Sequence, residues 1–394
     1  MNGHNKTLVN VMDEKCTDKE IVDIFHNKYS KLYNSVEDDN LPQTITHVNS
    51  MINDKCNSNQ CCASSCHNIS SDQIRNDISS LKSGKDDETY DMYSDHFINS
   101  TKLFQDFLSQ IITIMLKHGT TSNKINKSII KPIPKCKSNS LSDSNNYRAI
   151  SKNTVISKII DNVIISLIEE KLETSDYQFA YKKGFSTSLC SFLVLETIQY
   201  YKSRGSNVYM LSLDCTKAFD KVQFSKLFKT LIEKDICPLI IRLIINTYMM
   251  SVSIVKWNQS MSDPFNICNG VKQGAILSAP LFAIYIDPLL YRLRNIKQGC
   301  YMGNLCANAF AYADDIVLLS PTCMALKCLI NVCEEFANEY LLNFNPDKCK
   351  LLIFSSSEIV FQNINVTICN NQIEIPRLED FTRQIKASQF PNLL

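Results

Sequence analysis

The sequence predicts an α+β fold in which helices lie against a sheet. Segments with helical spacing of apolar residues are mixed with short apolar strands, and the two kinds do not alternate regularly as they do in a parallel α/β fold. The chain has 394 residues, of which 44% are hydrophobic and 21% are charged. A chain of this length and composition is globular and can hold two or three subdomains.

The first half of the chain contains a polar segment, several helices and one extended stretch. Residues 34–80 are rich in Asn, Ser and Asp with little periodicity, which predicts a flexible or loosely packed segment. Residues 104–117 have helical spacing, and Gly119 stops that helix. The prolines of IIKPIPK, 129–135, exclude a helix and predict an extended stretch. Amphipathic helices are predicted over 156–173 and 189–204.

The second half contains most of the predicted strands, which are runs of β-branched and aromatic residues. NVYMLSLD, 207–214, is an apolar strand that ends in an acid. Helices are predicted over 226–235, 238–249, 279–294 and 324–341. Further strands are predicted over 253–258, 265–270, 310–319 and 350–354, of which the first two resemble a hairpin.

The formal net charge of +1 hides an uneven distribution. Residues 1–100 hold 9 Lys and Arg against 16 Asp and Glu, whereas residues 101–394 hold 32 against 24. A basic body behind an acidic leader is compatible with a polyanionic partner, although ordinary proteins show the same asymmetry.

The 17 cysteines are expected to be reduced. The first residues, MNGHNKTLVNVMDEK, lack the 7–15-residue apolar core of a signal peptide, so an intracellular protein is expected. Cysteines such as Cys215, Cys306 and Cys333 lie singly in apolar segments, as buried small hydrophobic residues do. No apolar run is long enough to span a membrane.

A dense group of cysteines and one histidine lies in KCNSNQCCASSCH, 55–67. Zinc fingers usually separate two ligand pairs by 12 or more residues, and the spacing between Cys56 and His67 fits that pattern poorly. A polar linker is the simpler interpretation, and a zinc site is the alternative.

FAYADDIVLLS, 310–320, places two adjacent carboxylates, Asp314 and Asp315, between two apolar strands. A hairpin turn that faces water would explain them, but the usual Asn-Gly or Asp-Gly turn residues are missing. A second acid, Asp214, ends the strand 207–214. Because a helical pattern opens after it, Asp214 or Asp220 could instead cap a helix.

If strand 207–214 pairs beside the 310–319 hairpin, Asp214 and Asp314 come within a few ångströms of each other. Two carboxylates ~4 Å apart repel by about 4 kcal/mol at an effective dielectric constant near 20. Such a pair needs a proton or a cation between its members, and carboxylates are preferred ligands of Mg²⁺. Two such ions ~3.5–4 Å apart can hold the attacking and leaving oxygens of a phosphoryl transfer.

NGVKQGAILSAP, 269–280, contains two glycines, Gly270 and Gly274, and precedes a long helix that begins after Ser278 and Pro280. A glycine-flanked loop allows backbone or the Gln273 side chain to approach a ligand closely. A plain helix-entry loop is the alternative.

Together and in this order, these stretches resemble a reverse transcriptase, and more narrowly that of a non-LTR (LINE-type, jockey-like) retrotransposon, over roughly residues 70–360. YRAIS and SAPLF depart mildly from the family's usual YRPIS and SPLLF. The matching motifs are PIPK 132–135, YRAIS 147–151, QFAYKKG 178–184, LDCTKAFD 213–220, QG 273–274, SAPLF 278–282, YADD 312–315 and NPDKCK 345–350.

The resemblance implies a right-hand polymerase fold with palm and fingers, an antiparallel palm sheet backed by helices, and a thumb that is truncated or absent. The implied parts are an acidic polar N-terminal extension (1–70), a helical lead-in to the fingers (71–127), the reverse transcriptase domain with fingers and palm (128–360), and a truncated or divergent C-terminal tail (361–394). The extension is expected to be too short for an endonuclease.

The resemblance also implies roles for palm residues. Asp214 and Asp314 would bind two Mg²⁺ ions, with Mn²⁺ as a possible substitute, and Asp315 would be a weaker third ligand because neighbouring strand residues point to opposite faces. Phe219 matches a steric gate that rejects the ribose 2′-OH; a core phenylalanine of the following helix is the alternative. Lys348 matches a lysine that protonates or steadies the leaving pyrophosphate; a solvent-facing loop lysine is the alternative.

Residues of the fingers and the QG loop complete the implied site. Gln273 and Gly274 would contact the incoming nucleotide or template. Arg148 and Lys135 would meet triphosphate or template phosphates, unless they are merely solvated surface charges.

The implied function is that of an RNA-directed DNA polymerase, with an RNA template, a DNA primer and dNTPs as partners and no membrane. Action at chromosomal DNA implies access to the nucleus, although no localisation signal is visible. The alternatives are an inactive remnant that only binds nucleic acid, a group II intron or telomerase-like polymerase, and a structural protein with a chance ADD hairpin.

Overall fold

The structure is a computed structural model that describes residues 11–57, 68–355 and 366–373. The helices are α1 Asp18–Leu32, α2 Leu41–Asn57, α3 Ser71–Ser79, α4 Ser94–Ile98, α5 Lys102–His118, α6 Val155–Ile168, α7 Thr187–Lys202, α8 Phe224–Glu233, α9 Pro238–Met249, α10 Ser278–Asn295 and α11 Cys323–Tyr340. The strands are β1 Lys127–Pro134, β2 Tyr147–Asn153, β3 Val208–Leu213, β4 Val252–Trp257, β5 Ser260–Met261, β6 Phe265–Asn266, β7 Tyr301–Met302, β8 Leu305–Cys306, β9 Ala309–Tyr312, β10 Asp315–Ser320, β11 Lys350–Phe354, β12 Thr367–Ile368 and β13 Asn371–Gln372.

The chain forms two compact units, each built from two separate segments. The first unit contains residues 1–171 and 223–278, and the second contains residues 172–222 and 279–394. The four parts expected from the sequence are consecutive ranges of the chain, whereas these two units are defined by contacts in space. The four-part division therefore stays a prediction.

The first unit contains a sheet of strand order β2-β1-β4-β5, with β6 also paired to β4. The β1 strand pairs antiparallel with β2 over residues 128–134 but parallel with β4 only over residues 127–130. Pro132 and Pro134 therefore lie where β1 has one neighbour, which is where a strand tolerates the loss of a backbone N–H donor. The predicted extended stretch is confirmed.

The N-terminal helices belong to the core of the first unit. Helix α1 begins with a capping box between Thr17 and Glu20. Its Phe25 ring lies 5.5 Å from the Trp257 ring of β4 and 5.3 Å from the Tyr147 ring of β2. This helix therefore adds aromatic surface to one side of the sheet.

The expectation of a flexible or loosely packed segment over 34–80 is wrong for much of that range. Helices α2 and α3 occupy it, and α2 buries Val48 and Ile52, one turn apart. This narrow apolar stripe among polar residues is too short to produce an evident period in the sequence. Most of the Cys56–His67 cluster lies outside the described residues, so its role stays a prediction.

The second unit contains an antiparallel sheet of strand order β11-β3-β10-β9. Helix α11 packs against β10, and α7 packs against β9 and β3. Residues 316–320 of β10 are all buried, as expected for a strand covered on both faces. The predicted strands 207–214, 310–319 and 350–354 and the α+β fold with a helix-backed antiparallel sheet are confirmed.

Several predicted helix boundaries are also confirmed. Gly119 ends α5 in the left-handed conformation, with φ of 56°. The turn after α7 contains Gly205, with φ of 75°. Helix α8 begins at Phe224 after an N-cap at Gln223, so neither Asp214 nor Asp220 caps it.

The described cysteines form no disulfide, and Cys215, Cys306 and Cys333 are buried, as their apolar surroundings predicted. Within the described ranges, no helix is both long and apolar enough to cross a membrane.

Candidate active site

The YADD segment of the second unit forms a tight hairpin turn. Tyr312 pairs with Asp315, so Ala313 and Asp314 are the two loop residues between β9 and β10. Both aspartates are only partly exposed, which does not fit a turn that simply points into water. The hairpin expected from the sequence is present, with Asp314 at its tip and Asp315 at the start of β10.

Asp214 lies at the same edge of the sheet as this turn. Strand β3 pairs antiparallel with β10 in a register that sets Leu213 opposite Ile316. Continuing that register by one residue brings Asp214 opposite Asp315. An antiparallel pair brings the end of one strand to the start of the other, so the three acids collect at one edge.

The buried thiol of Cys215 lies beneath these acids. Burial raises its pKa well above the ordinary value, and the negative charges of Asp314 and Asp214 raise that pKa further. Both carboxylates therefore act on one buried atom, which agrees with their convergence at this edge. The thiol is neutral and adds apolar packing under the charged groups.

Lys348 is brought to the site by the NPDK loop. The backbone N–H of Asn345 donates to the carbonyl oxygen of Asp214 at 2.9 Å, and the N–H of Thr216 donates to Asn343 at 2.8 Å. These bonds hold the loop against the end of β3. The Lys348 Nζ lies 3.6 Å from Asp214 Oδ1, and the Lys348 side chain is 62% exposed. The ammonium group is therefore next to Asp214 and in contact with solvent.

The donor set suits a hard divalent cation. In the described part of the chain, no group of three or more His, Cys, Asp or Glu side chains surrounds a single point. Mg²⁺ commonly takes one or two carboxylates and fills its octahedron with water and substrate phosphate oxygens. Asp214 and Asp314 therefore fit an ion whose shell is completed by substrate.

Phe219 lies in a short 3₁₀ turn over residues 219–221, before helix α8 begins. Its ring stacks on Phe282 of α10, with centroids 4.1 Å apart and an angle of 17° between the planes. The ring is half-buried and does not belong to the core face of the following helix. Stacking restricts the ring while part of its surface stays accessible.

Arg148 and Lys135 lie in the first unit, on the β1–β2 hairpin. Arg148 is paired with Ile133, and both are exposed. Lys135, also exposed, follows Ile133 by two residues and so continues the same face; its Nζ donates to the carbonyl oxygen of Asn145 at 2.9 Å. The hairpin thus presents two cations on one exposed face.

The QG loop is bound to the same sheet. The N–H of Ser151 in β2 donates to the carbonyl oxygen of Gln273 at 2.7 Å. Gly274 has φ of 107°, and a Cβ there would lie 2.7 Å from the Ser151 carbonyl oxygen. The glycine is therefore required by close approach to a strand of the protein itself, whereas the sequence suggested approach to a ligand.

Two buried ionisable residues near the QG loop, Lys272 and Asp161, were not predicted from the sequence. Burial lowers the pKa of Lys272 to about 8 and raises the pKa of Asp161 to about 7. The Lys272 Nζ donates to the carbonyl oxygen of Asn126 at 3.1 Å, which anchors the loop. The sequence feature that could have indicated a buried charged residue is Asp161, the single acid in the apolar stretch of α6.

Gln178 is a second residue whose role sequence reasoning missed, although its motif was recognised. Its side chain is fully buried. The Nε2 donates to the carbonyl oxygen of Ala313 at 3.3 Å, and the Oε1 accepts from the N–H of Ala313 at 2.9 Å and of Ala180 at 3.0 Å. A residue 135 positions away thus contacts the YADD turn directly.

Three residues in the motifs of the candidate site have left-handed backbone. Tyr181, Lys217 and Ala313 have φ of 62°, 52° and 59°, a region that non-glycine residues seldom occupy. Each such residue costs about 1–3 kcal/mol and persists only where its surroundings hold it. All three belong to motifs of the candidate site: QFAYKKG, LDCTKAFD and YADD.

Comparisons with known proteins identify the family of the chain. Residues 133–383 match the family described as "Reverse transcriptase (RNA-dependent DNA polymerase)". The chain is 27% identical over 203 residues to the Pol polyprotein of the type-2 retrotransposable element R2DM from Drosophila melanogaster, covering 52% of this chain and 19% of that protein. It is 30% identical over 165 residues to the Pol polyprotein of a type-1 retrotransposable element R2 from Popillia japonica, covering 41% and 27%.

The chain spans less than a third of the length of these relatives. Among solved structures, an apo telomerase from Candida tropicalis aligns at 16% identity with a TM-score of 0.44, covering 68% of this chain and 58% of that one. The family match covers more than half of the chain and includes the three acids, the NPDK loop and the QG loop. The chain belongs to the reverse transcriptase family, as its motifs predicted.

Proposed function

We propose that this chain is the RNA-directed DNA polymerase of a non-LTR retrotransposon, which joins dNTPs to a primer 3′-OH on an RNA template. The observation that carries the proposal is the convergence of Asp214 and Asp314 at one edge of the palm-type sheet, within a chain of the reverse transcriptase family. The domain parts 128–360 for fingers and palm and 71–127 for a lead-in belong to the same proposal.

Asp214 and Asp314 offer carboxylate oxygens to two Mg²⁺ ions, and Asp315 assists from the next position. When bound, the ions stabilise the charge on the attacking 3′-oxygen and on the leaving pyrophosphate. Mn²⁺ has the same preference for oxygen ligands and can replace Mg²⁺. The chain's own contribution is to hold the carboxylates at one place before substrate arrives.

Lys348 supplies a positive charge beside this pair. Its Nζ lies 3.6 Å from Asp214 Oδ1 and remains largely exposed, so it can turn toward a phosphate without breaking a buried contact. In this role it donates a proton, or charge alone, to the leaving pyrophosphate. General acids of this kind contribute typically about 10²–10⁴-fold to rate.

Phe219 selects deoxyribose. Its ring is stacked on Phe282 and cannot easily withdraw. A ring held against the C2′ carbon leaves no room for a 2′-OH, which favours dNTPs over rNTPs.

Arg148 and Lys135 bind phosphates of the triphosphate or template from the exposed face of their hairpin. The guanidinium can do so in a bidentate manner. Gln273 and Gly274 present the QG loop to the nucleotide or template. Action on chromosomal DNA would require access to the nucleus.

The test is primer extension by the purified chain on poly(rA)/oligo(dT), with Mg²⁺ or Mn²⁺ and labelled dTTP. The wild type should incorporate dTMP only when metal is present, and Asp214→Asn and Asp314→Asn should each lose at least about 10³-fold of that activity, because a metal ligand is removed. Asp263→Asn, which changes an exposed carboxylate of the first unit, should keep it. Absence of incorporation by a folded wild-type chain would favour a remnant that only binds nucleic acid.

A further inference from the structure

We propose that Gln178 is a positioning residue that holds the YADD turn in the conformation required for metal binding by Asp314. This inference rests on the proposed function, because it assigns Gln178 a purpose through the carboxylates of that site. Gln178 is distant from the YADD turn in sequence but contacts it in the fold.

The side-chain amide of Gln178 forms hydrogen bonds with both backbone groups of Ala313. The N–H of Ala313 belongs to the peptide plane before Ala313, and its carbonyl oxygen belongs to the plane after it. One side-chain amide binds both groups, at 2.9 Å and 3.3 Å. Fixing the two planes fixes φ and ψ of Ala313, and the second plane is the one from which Asp314 starts.

The conformation held in this way is one that alanine does not favour. Ala313 has φ of 59°, in the left-handed region where a Cβ approaches the following carbonyl oxygen. Tight two-residue hairpins usually place glycine or asparagine at such positions. The turn therefore needs an external contact, and the Gln178 amide makes that contact.

Gln178 is itself held firmly. Its backbone neighbours lie along the outer edge of β9, where the N–H of Ala311 donates to Tyr177 and the N–H of Phe179 donates to Ala311, both at 2.8 Å. The Ala180 N–H also donates to the Gln178 Oε1. The side chain is fully buried, so water cannot easily replace its hydrogen bonds.

The decisive measurement is Mn²⁺ affinity, by isothermal titration, of the wild type and of Gln178→Met, which keeps side-chain length but cannot form these hydrogen bonds. We expect Gln178→Met to weaken Mn²⁺ binding and lower kcat by about 10- to 100-fold, as loss of groups that orient metal ligands does, with the dNTP KM changed less than about twofold. Gln105→Met removes another buried, hydrogen-bonded glutamine, on α5, and should leave both quantities unchanged.

Two further variants keep the test open to contradiction. Ala313→Gly accepts the left-handed conformation without strain, so Gln178→Met combined with Ala313→Gly should regain part of the affinity and of kcat. Gln178→Glu has the same shape but sets a carboxylate oxygen against the Ala313 carbonyl, and it should be impaired at least as much as Gln178→Met. Wild-type Mn²⁺ affinity in folded Gln178→Met or Gln178→Glu, with Ala313 unchanged, would overturn the proposal.

The same titration separates this proposal from the proposed function. If the wild type binds Mn²⁺ and Asp314→Asn does not, but neither incorporates nucleotide, the polymerase function fails while the effect of Gln178 can still be read. If the wild type is active and Gln178→Met matches it in metal affinity and kcat, the positioning role fails and the polymerase function stands.

Discussion

At the scale of single residues, the charged side chains of the candidate site were predictable from the sequence. The contacts that hold these residues in place were not. Asp214, Asp314 and Lys348 belong to short motifs that identify them from the sequence. Gln178 and Ala313 come together across 135 residues, and only the fold brings them into contact. A local pattern carries no signal of such a long-range hydrogen bond, so this part of the site could not be predicted.

Shortening Phe219 should relax sugar selection. We expect Phe219→Val to raise incorporation of rNTPs relative to dNTPs by at least about tenfold, equivalent to about 1.4 kcal/mol, because the ring that would meet the 2′-OH is removed. The check is the ratio of kcat/KM for UTP and dTTP on the same primer–template. Phe192→Val, at an exposed position of α7, should keep the wild-type ratio; an unchanged ratio in Phe219→Val would exclude the gate.

Removing the Lys348 charge should slow the chemical step rather than weaken nucleotide binding. We expect Lys348→Met to lower the single-turnover rate by about 10²-fold or more with little change in the dNTP KM, because the ammonium acts on the leaving group. Lys327→Met, an exposed lysine of α11, is the matched control. Equal losses of rate in both variants, or a loss confined to KM, would contradict the role given to Lys348.

At the scale of elements, strands were easier to predict than polar helices. The strands β3, β10 and β11 are mostly apolar, and such short apolar runs predict strands that are largely buried. Helix α2 buries little more than one narrow stripe and reads as a polar linker until its neighbours are known. The need for glycine at position 274 was also not predictable from local sequence. A side chain there is excluded by the close approach of β2, not by the conformation of the loop alone.

An ion-pair cluster joins three strands of the first unit. Glu88 accepts from Lys131 of β1, from Lys152 of β2 at 2.6 Å and from Lys256 of β4 at 3.0 Å. Burial opposes the charged form of Glu88, but the hydrogen bonds from the three lysines prevail and lower its pKa to about 2. The side chain is 13% exposed, so solvent screens this cluster only in part.

This pKa predicts a stability that depends on pH. Because the pKa of Glu88 is lower in the folded state, its contribution is fully present above the unfolded value near 4.5 and is lost as pH falls toward about 2. We expect Glu88→Gln to reduce the free energy of unfolding by about 3 kcal/mol at pH 7, and by progressively less between pH 4.5 and pH 2.

The check is denaturant unfolding of Glu88→Gln and wild type across that pH range. Glu233→Gln removes an exposed carboxylate whose Oε1 lies 3.8 Å from Lys229 Nζ, and it should change the free energy of unfolding by less than about 1 kcal/mol. A difference between Glu88→Gln and wild type that stays constant with pH would show that ionisation of Glu88 is not the source of its effect.

At the scale of the whole molecule, the chain belongs to the reverse transcriptase family, and its two units are each assembled from separate segments. The chain leaves the first unit after residue 171, contributes β3 and Asp214 to the second, and returns at residue 223. The order of motifs predicted the family and the sheet. It could not predict that the chain passes from the first unit to the second and back, because the two units are defined by contacts between residues far apart in sequence. Asp214 and Asp314 lie in the two separate segments that together form the second unit.

The measurement that tests the central claim most directly is copying of a defined, mixed-sequence RNA by the purified chain, with sequencing of the product. We predict a metal-dependent DNA strand complementary to the RNA, absent with Asp314→Asn and retained with Asp263→Asn. Nucleotide addition that ignores the template sequence, or that survives in Asp314→Asn, would contradict an RNA-directed polymerase site built on these acids.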